Sequence, residues 1–129
     1  MTASLDLADP NTDPFEVAAA AAAVIAERTG AERHDVALVL GSGWGRTGDL
    51  IGQTLVTIDN ADVPGFRKAA VEGHSGSMRS VAIGDTGKRA LVFGTRTHFY
   101  EGHGVRAGVH AVRAARAAGC PSIVLTNGC

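Results

Sequence analysis

The chain has 129 residues, the size of one ordinary domain, and 45% of them are hydrophobic, which is enough for a core. Its formal net charge of −1 argues against nucleic acid as a partner, because such binding depends on a strongly basic surface. Two cysteines cannot form a disulfide framework, and no apolar run approaches the roughly 20 residues of a membrane helix, so we expect a soluble, cytoplasmic protein with no membrane partner.

The first helix has clear start and stop signals. Residues 1–12 are polar and predict a loose tail. Asp13 can cap a helix, Pro14 suits the first helical position, and an alanine-rich run continues from there. Gly30 is placed to end the helix. A single folded domain is therefore predicted over 13–129.

Apolar runs separated by glycine-containing turns predict the strands that follow. VALVLGSG (36–43) is continuous, as in a strand buried on both faces, and TLVTI (54–58) is a weaker strand. VPGF (63–66) has the residues of a turn. MRSVAIGDTGKRALVFG (78–94) predicts a β-hairpin around residues 84–87.

The last part of the chain predicts a strand–helix–strand unit. VRAGVHAVRAARAAG (105–119) has the spacing of an amphipathic helix, with Val105, Val109 and Val112 on one side and arginines elsewhere. SIVLTN (122–127) predicts a final buried strand. A helix between the second hairpin strand and this one makes a right-handed βαβ unit. We therefore expect an α/β domain with a mixed, largely parallel sheet flanked by helices.

The chain ends at Cys129, directly after the predicted last strand. In an α/β sheet such a strand is normally followed by a helix that covers it. We expect the sequence to be the front part of a longer protein.

Polar residues gather directly after the carboxyl ends of three predicted strands, in the loops 41–43, 95–102 and 126–128. In open α/β sheets, ligands bind just beyond the carboxyl ends of strands. The candidates for one site are Ser42, Arg96, His98, Tyr100, Glu101, Asn127 and the Gly128 amide. Their hydroxyl, guanidinium and backbone N–H groups are donors that suit a phosphate anion. A non-catalytic phosphate-binding module needs the same donors as an enzyme that acts on phosphate. The pattern alone therefore does not decide between an enzyme and a binding module.

Four segments resemble, in order and spacing, the trimeric branch of the purine nucleoside phosphorylases: LVLGSGWG, VEGHSGSM, GTRTHFYEGH and VLTNG. The R-x-H-x-Y-E-G element is the most specific of them, and the match runs from about Asp35 to Cys129. Trp44 stands where leucine is common, and Gly128-Cys129 where two alanines are common. The resemblance implies the N-terminal part of the family's α/β domain, truncated after about half of it.

The resemblance also implies a role for each candidate residue. Inorganic phosphate would be bound by Ser42, His74, Arg96, His98 and the Gly128 amide. Tyr100 would contact the ribose, and Glu101 would orient His98 during catalysis. The family reaction is reversible phosphorolysis of purine ribonucleosides and deoxyribonucleosides, which gives the free base and the sugar 1-phosphate. It requires no metal and no organic cofactor, since phosphate is the co-substrate.

The family's purine-recognising residues lie beyond the position of Cys129. The resemblance therefore implies that these 129 residues alone have little phosphorolytic activity, and that the full-length protein is a homotrimer. Two other interpretations stay open. One is methylthioadenosine phosphorylase, a sister activity on the same scaffold, and the other is a non-catalytic phosphate-binding fragment.

Overall fold

The structure is a computed structural model that describes most of the chain. The described residues are 7, 9, 11–40, 50–66, 77–93 and 109–126. Within them, the helices and strands in chain order are α1 (Pro14–Thr29), β1 (Val36–Val39), β2 (Thr54–Asp59), β3 (Ser77–Ile83), β4 (Lys88–Phe93), α2 (His110–Ala117) and β5 (Ile123–Leu125). A 3₁₀ turn at Asn60–Asp62 follows β2.

The five strands form one mixed sheet in the spatial order β2-β3-β4-β1-β5. β1 pairs in parallel with both β4 and β5, whereas β3 pairs antiparallel with both β2 and β4. The predicted hairpin is therefore confirmed as β3–β4, and its turn contains Gly84 and Gly87 with φ of 50° and 76°. The α/β class and the mixed sheet are also confirmed, although parallel and antiparallel pairs are equally represented rather than largely parallel.

Helix α1 begins and ends where its signals predict. The Asp13 side chain accepts a hydrogen bond from the Phe15 N–H at 2.9 Å, and Pro14 is the first helical residue. Gly30 adopts the left-handed region at φ 70°, and its N–H donates to the Ala26 carbonyl at 2.9 Å. Both caps satisfy backbone groups that a helix end otherwise leaves without partners.

The main hydrophobic core lies between the two helices and one face of the sheet. Its larger contributors are Ala21, Ile25, Val39, Ile58, Met78, Leu91, Phe93, Ala114 and Ala115. A smaller cluster on the opposite face contains Leu40, Val81, Ala90 and Val92, with Ile51 packed against it. Successive residues of β4 belong alternately to one cluster and the other, because successive side chains of a strand point to opposite faces of the sheet. Within the described residues, α1 and α2 therefore cover the same face.

The predicted apolar face of α2 is wrong. Val112 is 39% exposed and Val109 is half-buried, whereas the buried side chains are His110, Ala114 and Ala115. Small alanine side chains let α1 and α2 approach closely, so close packing rather than hydrophobicity selects the buried face. Val105 lies outside the described residues.

The predicted last strand is exposed rather than buried. In β5, Val124 is 47% and Leu125 is 55% exposed. Among the described residues, β5 lies at the edge of the sheet and pairs with β1 alone. Position in the sheet, which is a tertiary property, therefore determines the exposure of an apolar run.

Two residues of the predicted loose tail are packed. Leu7 and Thr12 are buried, and the Asp9 side chain accepts a hydrogen bond from the Asn11 N–H at 2.9 Å. The division into a tail over 1–12 and a domain over 13–129 stays a prediction. In the part of the chain that the structure describes, no helix has the length and apolarity to cross a membrane.

Candidate functional site

The residues predicted to form the site all lie outside the described residues. They are Ser42, His74, Arg96, His98, Tyr100, Glu101, Asn127 and Gly128. Their roles stay predictions. What the structure gives is the set of strand ends that precede and follow their loops, together with the side chains packed there.

The last residues of the three parallel strands stand side by side. Val39 at the end of β1 pairs with Phe93 at the end of β4 and with Leu125 at the end of β5. The N–H of Leu40 donates to the Phe93 carbonyl at 3.0 Å, and the N–H of Thr126 donates to the Val39 carbonyl at 3.0 Å. Adjacent strands are about 4.8 Å apart, so the three chain segments leave the sheet within roughly 10 Å of one another.

The residue before Asn127 is held by two hydrogen bonds to one acceptor. In addition to its N–H, the Thr126 hydroxyl donates to the Val39 carbonyl at 3.0 Å. A side-chain bond of this kind fixes the backbone direction at the end of a strand. Thr126 therefore fixes the direction in which the chain leaves β5 next to the end of β1.

Residues 67–76, which include His74, are followed directly by β3, which starts at this same edge. β3 runs antiparallel to β4, and its second residue, Met78, pairs with Phe93. Its first residue, Ser77, pairs with Asp59 at the end of β2. Because an antiparallel strand starts where its neighbour ends, the start of β3 and the end of β2 lie at the same edge as the ends of β1, β4 and β5, so five chain segments meet there.

An aromatic cluster lies at this carboxyl edge, in which Phe93 and His110 are buried and Phe66 is half-buried. The Phe66 ring stacks on the Phe93 ring, with centroids 5.6 Å apart and planes 12° apart. The His110 ring packs against Phe66 at 4.7 Å. His110 is 1% exposed, and its Nε2 lies 2.7 Å from the carbonyl oxygen of Pro64. A carbonyl only accepts, so Nε2 carries the proton and donates.

Burial keeps the His110 ring neutral. It lowers the pKa of His110 because the interior disfavours the charged form, and this outweighs the Pro64 carbonyl, which raises the pKa. The nearby positive charge of Arg113 lowers the pKa further. Sequence reasoning missed this cluster: VPGF was interpreted only as a turn, and His110 was not singled out. A histidine at the start of an alanine-rich helix was the available signal.

A second cluster, which is polar, lies at the opposite edge, where the parallel strands begin (the amino edge). His34 and Ser80 are buried, and His34 Nε2 lies 2.9 Å from the Ser80 hydroxyl. The Arg89 N–H donates to the Asp35 carboxylate at 2.9 Å, and the Arg89 guanidinium donates to the Thr29 carbonyl at 3.2 Å. Burial, followed by the charge of Arg89, lowers the pKa of His34. These groups bond to one another across α1, β3 and β4, which is a structural role.

Cys120 lies near this second cluster and is buried with a free thiol. Burial, with a contribution from the charge of Asp35, raises the pKa of Cys120 to about 11. Such a thiol is a small apolar residue rather than a nucleophile, as the sequence predicts. Cys129 lies outside the described residues. Among the described residues no three His, Cys, Asp or Glu side chains group together to hold a metal ion.

Comparisons with known proteins agree on one family. No family model matches the chain. It is 52% identical over 126 residues to the purine nucleoside phosphorylase of a Cellulomonas species, covering 95% of this chain and 45% of that protein. It is 50% identical over 121 residues to the enzyme of Mycobacterium tuberculosis, covering 94% and 44%. The chain therefore spans less than half the length of the curated relatives that it matches.

The fold agrees with solved structures that have the same name. The chain superimposes on isoform 2 of purine nucleoside phosphorylase from Schistosoma mansoni, solved in complex with cytosine and ribose-1-phosphate, with a TM-score of 0.75. That match has 25% identity and covers 96% of this chain and 40% of the other. The five-stranded mixed sheet with its two helices corresponds to a part of that fold.

Proposed function

Because the chain is a homologue of the purine nucleoside phosphorylases over 95% of its length, we propose that it carries their phosphate subsite and part of their ribose subsite. The whole protein would convert purine ribonucleosides and deoxyribonucleosides, with phosphate, to the free base and the sugar 1-phosphate. Assembly into a homotrimer belongs to the same proposal.

The observation that carries the proposal is the row formed by Val39, Phe93 and Leu125. Loops that start from one row can bring their side chains to one ligand. The distances along the chain are short enough. Three residues span at most about 11 Å, so Arg96 after β4 and His74 before β3 are both within reach of a phosphate at this edge.

In the proposed site the chain supplies mainly hydrogen-bond donors. Arg96 presents a planar fork of N–H groups to two phosphate oxygens, and the Ser42 hydroxyl and the Gly128 amide bind others. His98 donates to phosphate, and the Glu101 carboxylate holds the correct ring tautomer. A phosphate dianion held against the sugar stabilises the positive charge that develops at the anomeric carbon as the purine leaves.

Phosphate binding is the direct test. Trp44 is the only tryptophan, so its fluorescence reports a titration with inorganic phosphate. We expect saturable binding that Arg96→Ala weakens roughly 10- to 100-fold, because a charge-assisted contact contributes about 1.5–3 kcal/mol. The matched control is Arg116→Ala, an exposed arginine on α2, which should bind phosphate like the parent chain. No saturable response from the folded chain, or equal binding by the two variants, would refute the phosphate subsite.

Turnover separates the subsite from a complete enzyme. A polypeptide of these 129 residues should bind phosphate but release almost no hypoxanthine from inosine, because it spans only 45% of its relative's length. A chromatographic assay for hypoxanthine measures this. Turnover at the rate of a full-length relative would show that the base subsite is also present in this segment.

A further inference from the structure

The aromatic cluster at the carboxyl edge joins residues that border two segments with predicted phosphate ligands. Phe66 directly precedes residues 67–76, the segment that contains His74, and Phe93 directly precedes residues 94–108. His110 follows that second segment at the start of α2. The residues that border one end of the first segment and both ends of the second therefore meet in a single cluster.

We propose that Pro64, Gly65, Phe66, Phe93 and His110 form a positioning cluster, called here the clasp, that fixes the loop of His74 relative to the loop of Arg96 and His98. The inference rests on the proposed function for its consequence, phosphate binding. The clasp itself consists only of described residues. His110 is its central positioning residue, because it contacts both the turn and the stacked rings.

His110 combines two properties that few side chains share. Its Nε2–H donates to the Pro64 carbonyl at 2.7 Å, and its ring packs against Phe66 in a tilted arrangement with centroids 4.7 Å apart. Phenylalanine would keep the ring without the donor, and glutamine would keep a donor at nearly the same position without the ring. The bond joins residues 46 positions apart, so it links separate segments instead of stabilising one local turn.

Gly65 allows the turn to approach the histidine. Its φ of 82° lies in the left-handed region, and a Cβ at this position would overlap the His110 ring, with Cδ2 only 2.8 Å away. A side chain here would therefore push the turn away from α2. The close approach and the hydrogen bond therefore depend on each other, and together they fix the distance between the turn and α2.

The stack of Phe66 on Phe93 links the turn to the end of β4. Phe93 is 1% exposed and is the last residue of β4, so its ring is held by the sheet. Phe66 contacts both the Phe93 ring and the His110 ring. Since a displacement of about 1 Å in a site can reduce its efficiency about 100-fold, a clasp at the loop boundaries can decide whether the phosphate ligands converge.

The experiment compares His110→Phe with His34→Phe. His34 is the matched control, because it is also fully buried and also bonds through Nε2, but at the opposite edge of the sheet. Both variants should lose stability to a similar degree. Only His110→Phe should increase amide hydrogen exchange in 67–76 and 94–108 together and weaken phosphate binding about tenfold at matched stability. His110→Gln, which retains a donor for Pro64, should recover most of the phosphate affinity.

The outcomes separate the clasp from the proposed function. If the parent chain shows no phosphate binding, the proposed function fails, and hydrogen exchange in the two loops still decides the clasp. If His110→Phe does not fold, His110→Gln and Gly65→Ala are measured in its place, with faster exchange in both loops expected for Gly65→Ala. Exchange and phosphate affinity that match those of His34→Phe would overturn the inference.

Discussion

The two edges of the parallel strands each contain a buried histidine, but the two histidines are used differently. His34 bonds to the side chain of Ser80 on a strand of the sheet, whereas His110 bonds to the main-chain carbonyl of Pro64 in a turn. Burial lowers the pKa of both rings. The same residue type, equally buried, therefore bonds to a strand side chain at the amino edge and to a turn at the carboxyl edge.

The difference extends to the charges around the histidines. At the amino edge, Asp35 and Arg89 bond to each other and to neighbouring backbone groups, so their hydrogen bonds are used within the fold. At the carboxyl edge, the contacts of the buried histidine are ring packing against Phe66 and one hydrogen bond to a main-chain carbonyl, and the charged residues predicted for the site lie outside the described residues. A scaffold of this kind can hold its shape without using the groups that a ligand needs.

The largest expected effect on the free energy of unfolding comes from comparing two glycines, Gly65 in the clasp and Gly87 in the β3–β4 turn. Gly65 and Gly87 both have positive φ, at 82° and 76°, but only Gly65 faces a side chain where a Cβ would be. An alanine should cost about 1–2 kcal/mol at either position through its backbone conformation. At Gly65, overlap with His110 should add about 1–3 kcal/mol.

Urea unfolding of Gly65→Ala and Gly87→Ala measures this difference in the free energy of unfolding. Equal destabilisation by the two variants would mean that the turn at Gly65 can move away from His110 without cost. In that case the clasp would not set a distance.

The next effect concerns the thiol at the amino edge. Burial raises the pKa of Cys120 from 9.0 to about 11. Because the thiolate is the reactive form, its population near neutral pH falls about 100-fold. We expect Cys120 in a Cys129→Ser variant to react with iodoacetamide at least about 100-fold more slowly in the folded chain than in guanidinium. Fast labelling of the folded chain would show that the amino edge opens readily.

The pH dependence of stability tests both histidines at once. Each has a pKa below its ordinary value of 6.5, so the unfolded chain binds protons at a higher pH than the folded chain does. Stability is therefore fully present above about pH 6.5 and is lost as the pH falls from there towards the folded pKa. Each histidine contributes a slope of up to about 1.4 kcal/mol per pH unit in that window.

Substitution assigns this slope to a residue. His34 titrates beside Arg89 and Asp35, and His110 beside Arg113, so replacing either histidine with phenylalanine removes its proton uptake but leaves these charges in place. Unfolding measured at pH 7 and pH 5.5 should show a shallower dependence in each variant. An unchanged slope in both would mean that the rings are already accessible to protons in the folded chain.

Local signals were enough to predict much of the fold. Asp13, Gly30 and the turn between β3 and β4 act through neighbouring residues, so the sequence predicted helix α1 and the hairpin correctly. The exposure of Leu125 and the burial of His110 depend on position in the sheet and on partners elsewhere in the chain, which no local pattern contains.

The candidate site divides in the same way. The resemblance supplied the residue types in the loops, and the strand pairing of Val39 with Phe93 and Leu125 is compatible with a common location. The bond between His110 and Pro64 was beyond sequence reasoning, because these two residues are 46 positions apart in the chain and come together only in the folded structure.

The smallest expected effect on stability concerns the surface ion pair next to the clasp. Arg28 in α1 and Asp62 in the 3₁₀ turn form an exposed ion pair at 3.7 Å, only two residues before Pro64. Exposed pairs contribute about 0–1 kcal/mol, because water and salt screen them. We therefore expect Arg28→Ala to change the free energy of unfolding by less than about 0.5 kcal/mol, with phosphate binding unchanged. The measurement is urea unfolding at low and high salt. A larger, salt-sensitive loss together with weaker phosphate binding would show that the turn is held from the surface, and that the contact between His110 and Pro64 follows from it.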